Sequence, residues 1–167
     1  LQRGSPTDAQ LEKRSGIERV RIPGLGVVDY EFILEARSEP NETMDEFAVR
    51  LGSKLREFSD RTGYEACGVI ATDGERFGTV IGSNRSHVAC ANFSSKVPEG
   101  MRATDETIHS HGLDKSFNAN RNDLVLQGQA FHGRPGLRGV GGQDTRRFSE
   151  MDYEGGPGYL ATPNGVI

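Results

Sequence analysis

A single α/β domain, in which a mixed and largely antiparallel sheet packs on one long helix, is the fold the sequence predicts. Three observations carry it. Residues 17–111 contain several short runs that are apolar or alternate in polarity and are separated by turn residues, the pattern of consecutive strands. One stretch, 43–62, instead repeats its apolar residues at spacings of three and four, the pattern of a helix with one buried face. The length of 167 residues suits one domain, which on folding buries roughly two thirds of the surface its extended chain exposes.

Taken in order, residues 1–16 are polar and are expected to be a flexible N-terminal segment ahead of a domain over 17–167. "IERVRI" and "GVVDYEFILEA" flank "PGLG" and read as two strands joined by a turn. In the helix Met44, Phe47, Ala48, Leu51, Leu55 and Phe58 form the apolar face, Thr43 and Glu46 match a capping box, and Gly63 supplies the stop. "YEACGVIA", "FGTVIG", "HVACANF" and "DETIHSH" follow as a four-stranded meander with turns at Asp73-Gly74 and Ser83-Asn84. Residues 112–147 break the pattern with Gly and Pro, and only "DLVLQGQAF" within them reads as a short helix. A turn of helix after Ser149 and a strand "YLAT" closed by Pro163-Asn164-Gly165 end the chain. No internal repeat is visible.

Composition narrows the function classes. Hydrophobic residues make up 34% with no Trp, and 22 Gly and 7 Pro favour turns, so a modest core with long loops is expected. The net charge of −4 is spread without long like-charge blocks, which argues against a nucleic-acid partner. No apolar run approaches the ~18–20 residues that span a bilayer, so the chain reads as soluble, either cytoplasmic or delivered as part of a longer protein. Cys67 and Cys90 each lie in an apolar stretch and are expected to be buried free thiols rather than a disulfide. The sequons at Asn41, Asn84 and Asn92 are read as chance.

Chemistry concentrates around "ETIHSHGLDK", residues 106–115, which places two of only four histidines one residue apart. In an extended strand side chains two apart share a face, so His109 and His111 present two nitrogen ligands together. Strand histidines also occur simply facing solvent, so the reading needs support. Glu65 gives some: a carboxylate opening an apolar strand is costly to bury without a partner, and a general base needs that placement. "FSEMD" gives more, since Ser149 and Asp152 stand three apart, although that spacing also makes a cap. His87 and His132 read as packed or surface histidines, Cys67 as a small core side chain, and "GLRGVGG" lacks the strand and helix a phosphate loop requires.

The order of "E-x-C-G", "H-S-H", "S-x-x-D" and a final strand ending in Pro-x-Gly resembles the JAMM metallopeptidases, also called the JAB or MPN-plus family. The likeness covers residues 42–167, rests on "YEACGVIA", "IHSHG" and "FSEMDYEGGPGYLATPNG", and looks closest to bacterial JAB-like domains, some of which occur in toxin or effector polypeptides. It implies a JAB-like fold related to cytidine deaminases and a Zn2+ ion held by His109, His111 and Asp152. It also implies water activated by Glu65, an oxyanion assisted by Ser149, and a peptide, isopeptide or peptidoglycan-like substrate. The sequence departs from the family in one large respect. Ser149 follows His111 by 38 positions instead of a short spacer, and the usual serine position holds Ala119. The metal is expected at a sheet edge near the last helix turn, and the extra residues, 112–147, are expected to form an insertion or lid over it. "NRND" within them offers Asn120 for the serine and Asp123 for the third ligand; "FSEMD" is preferred because it keeps the serine and lies just before the closing strand. A rival reading is a JAB-like scaffold that has lost its metal, against which the retention of all five residue types argues.

Overall fold

The computed structural model describes residues 16–112, 116–127 and 158–167. Strand β1 (Ile17–Ile22) turns through Gly24, at a φ of 82°, into the long β2 (Gly26–Arg37), and the two pair antiparallel from Ile17↔Glu31 to Ile22↔Gly26. Helix α1 (Met44–Thr62) begins at a complete capping box, in which Thr43 Oγ1 accepts from Glu46 N and the Glu46 carboxylate accepts from Thr43 N. It ends at Gly63, whose φ of 80° suits a residue without a side chain and lets its N–H donate to Ser59 O. Both helix ends fall where the sequence places them.

Strands β3 (Ala66–Thr72) and β4 (Phe77–Ser83) form a hairpin over the Asp73-Gly74 turn, and β5 (Arg102–Ser110) follows after a long irregular connection. A short helix α2 (Arg121–Gln127) precedes β6 (Gly158–Thr162) and β7 (Gly165–Val166). The sheet order is β1-β2-β4-β3-β5-β6-β7, and only β5 and β6 run parallel. The α/β class and the mixed, largely antiparallel sheet therefore hold. Helix α1 covers one face: Phe47, Ala48, Leu51, Leu55 and Phe58 pack with Ala66, Ile70, Ile81, Ile108 and Ala161 as a single core. Full burial of one such large apolar side chain contributes about 1.5–3 kcal/mol.

Three expectations are corrected. "HVACANF" is no strand, and the meander is not a four-stranded one: β5 pairs with β3, on the side away from β4. Side chains satisfy the backbone there in place of a ladder. Ser86 Oγ accepts from Val88 N and Ala89 N, and Asn84 Oδ1 accepts from Ala91 N. Cys67 and Cys90 are joined in a disulfide across a sequence separation of 23, not free. Closing a loop of that length stabilises the fold by about 3.5 kcal/mol through the unfolded state. Lastly, β5 lies between β3 and β6, so the histidine pair occupies the end of an interior strand and not a sheet edge. Asn84 is fully buried and bonded to Asp29 O, so its sequon is closed to modification.

Candidate functional site

The pleat of β5 divides its residues between two environments. Ile108 enters the core under α1, and Ser110 Oγ lies 2.7 Å from Ser59 Oγ of that helix. His109 and the following His111 therefore take the opposite face. Their ring centroids are 5.1 Å apart at an interplanar angle of 53°.

Strand β3 brings two more residues to the same face. The register pairs Cys67 with His109 and Ala66 with Ser110. Carried one residue further, it sets Glu65 opposite His111. Glu65, Cys67, His109 and His111 thus form a two-by-two patch over adjacent strands, where directly opposed Cβ atoms stand about 4.5–5.5 Å apart. Glu65 and His111 are buried, at 4% and 1% exposure, and His109 is half-buried.

The backbone around the patch is pinned from several sides. Glu65 N donates to Ser86 O, and Ser83 Oγ donates to Glu65 O at 2.6 Å. Arg56 of α1 donates through Nη1 to His111 O and pairs with Asp60 one turn along. Gly112 leaves the strand where a Cβ would stand 2.3 Å from Gly63 O and 2.8 Å from His87 O, so only glycine permits this exit. Arg56 and Ser86 went unremarked in the sequence and Ser83 was read only as a turn residue; the i,i+4 spacing of Arg56 and Asp60 offered the one signal among them.

Asp123, the competing third ligand, is committed elsewhere. Its Oδ1 accepts from Ser86 Oγ and His87 N, and its Oδ2 accepts from Asn120 N and faces His87 Nδ1 at 2.8 Å. Burial opposes its charge, but the bonds from His87, Asn120 and Ser86 outweigh burial and hold the carboxyl below its usual range. Asn120 caps the start of α2 through Oδ1 and donates to Arg85 O. His87 is a packed histidine, stacked 4.4 Å from Phe117 and tilted against Tyr64. Ser149, Asp152 and His132, with most of the proposed insertion, lie outside the described residues.

The patch suits part of a zinc centre. Two imidazoles bound to one tetrahedral zinc through nitrogens at about 2.0–2.1 Å hold their ring centroids about 5 Å apart, as His109 and His111 do. Among the described residues no three His, Cys, Asp or Glu side chains form a metal group as they stand. The same sheet face carries a cavity of about 290 Å³ lined by Glu18, Tyr30, Phe32, Val80 and Lys96. Tyr30, Val80 and Lys96 continue from it into a recess shared with Cys67. Burial, with Glu18 nearby, pushes the Tyr30 hydroxyl up to about 12.

Fold and patch together give an α/β domain whose sheet carries His109 and Cys67 side by side on the face away from α1. No protein-family model, curated protein or solved structure matches the chain.

Proposed function

We propose that this domain is a zinc-dependent hydrolase of the JAMM type that cleaves a peptide or isopeptide bond. The observation that carries the reading is the convergence of Glu65, His109 and His111 on one face of β3 and β5. His109 and His111 hold the metal with Asp152 as the third ligand. Zinc bound there supplies a Lewis acid that polarises the scissile carbonyl and brings water toward neutral pKa. Glu65, buried opposite His111, takes the proton of the attacking water and hands it to the leaving amine. Ser149 donates a hydrogen bond to the oxyanion. Among the described residues no helix is long and apolar enough to cross a membrane. A disulfide is at home in an oxidising compartment, which favours a delivered domain such as a bacterial effector over a cytoplasmic one.

Elemental analysis of the purified chain tests this. About one zinc per chain is expected, lost in His109→Ala and His111→Ala and kept in Glu65→Gln, which should fold but fail to cleave a panel of fluorogenic peptides and isopeptides. Unchanged zinc in both histidine variants would place any metal elsewhere. Absence of zinc from the parent chain would favour the metal-free scaffold.

A further inference from the structure

We infer that the Cys67–Cys90 disulfide controls the metal site, because its reduction releases a thiolate that takes the coordination position hydrolysis needs for water. The inference rests on the zinc reading above and adds a regulator to it. Its basis is register: Cys67 is the direct cross-strand partner of His109. Two ligands on one tetrahedral zinc, a sulfur at about 2.3 Å and a nitrogen at about 2.0–2.1 Å, lie about 3.6 Å apart. Side chains on opposed Cβ atoms about 4.5–5.5 Å apart can close to that separation. Cys67 is therefore placed to offer a sulfur donor to the histidine pair once reduced, and thiolate is a preferred zinc ligand.

In the oxidised chain that sulfur is engaged. It is bonded to Cys90, and the neighbouring Ala91 carbonyl oxygen lies 3.4 Å from it, so the irregular connection after β4 lies against the strand at this point. Reduction by two equivalents of a small thiol breaks the sulfur–sulfur bond. Two electrons pass to the protein, Cys67 and Cys90 each gain a proton, and the two reductant molecules leave as their own disulfide. When Cys67 then binds the metal, its proton passes to solvent. A centre with three protein ligands and an open position becomes one with four, which is the difference between a catalytic and a structural zinc site. The domain would be silent in a reducing cytoplasm and competent once exported to an oxidising compartment.

Cobalt substitution of the full chain tests this without a substrate, because a thiolate ligand gives cobalt an intense sulfur-to-metal charge-transfer absorption that nitrogen and oxygen ligands do not. The oxidised parent is expected to bind cobalt without that band and to gain it on treatment with a phosphine reductant. Cys90→Ser should show the band without reductant, and Cys67→Ser should lack it in either condition. Because both variants also lose the disulfide, circular dichroism checks their fold, and the parent measured with and without reductant carries the test independently. Cobalt bound by the reduced parent without the band would overturn the inference and leave the zinc reading standing. A band that persists in Cys67→Ser and vanishes in Cys90→Ser would overturn it by naming the other sulfur. Failure to bind cobalt in either redox state would sink the zinc reading itself, and this inference with it.

Discussion

The two faces of strands β3 and β5 differ more than any two separate elements of the molecule. On one, Ala66, Ile70, Ile108 and Ser110 meet helix α1 and form the core. On the other, Glu65, Cys67, His109 and His111 alternate with them, residue for residue, and no apolar layer of comparable size is built there. A period of two lets one strand hold the fold together and present chemistry without either task constraining the other. The difference teaches that substitutions one residue apart should separate stability from metal binding.

The sharpest way to break that comparison is to truncate neighbours. Ile108→Ala empties a fully buried position and is expected to cost about 2–5 kcal/mol in urea denaturation, with zinc per folded chain unchanged. His109→Ala should lose the zinc, and with both proteins compared metal-free it should cost less than about 1 kcal/mol. A reversal of these two outcomes would mean that the faces are assigned the wrong way round.

A second comparison sets one buried carboxylate against another. Asp123→Asn removes an ionised acceptor of several hydrogen bonds and should cost about 2–3 kcal/mol, whereas Glu65→Gln should change stability little. The pH dependence follows from direction. The folded-state value of Asp123 is depressed, so its contribution is fully present above the unfolded carboxylate value near 3.9 and is lost as pH falls through the folded value. Acid titration of the parent should therefore show a stability loss below about pH 4–5 that Asp123→Asn lacks.

The last comparison moves to the scaffold far from the patch. Thr43→Ala removes the hydroxyl that accepts from Glu46 N and should cost about 1 kcal/mol, with zinc content untouched. A change in zinc would mean that the helix position, and not only its stability, tunes the site.

Much of the scaffold was legible because local rules and tertiary context agreed. The capping box at Thr43, the left-handed glycine at 63 and the alternation in β1 and β2 each point to one outcome. The shared face of His109 and His111 was legible for the same reason, since strand period alone decides it, whereas what stands beside them depends on the register between β3 and β5. What failed was non-local. "HVACANF" has a strand's composition, but Asn84, Ser86 and the Cys90 sulfur tie it down through bonds that no periodicity reports. A disulfide between two cysteines 23 residues apart in apolar surroundings cannot be told from two packed thiols until strand β3 and the connection after β4 are placed. Ser149 and Asp152 were read from spacing and lie outside the described residues.

The one parallel pairing in the sheet has a kinetic consequence. The β3–β4 hairpin closes over four residues, but Thr107 and its partner Gly158 are 51 residues apart in sequence. Bringing such distant segments together costs about 3.5 kcal/mol of chain entropy before any contact is made. Docking of β6 is thus expected to be a late step in folding, after β1 to β5 and α1 have gathered. Until it happens, β5 has an open edge whose unpaired N–H and C=O groups invite other chains, so the strand that bears the two histidines is also the one most exposed to aggregation during folding.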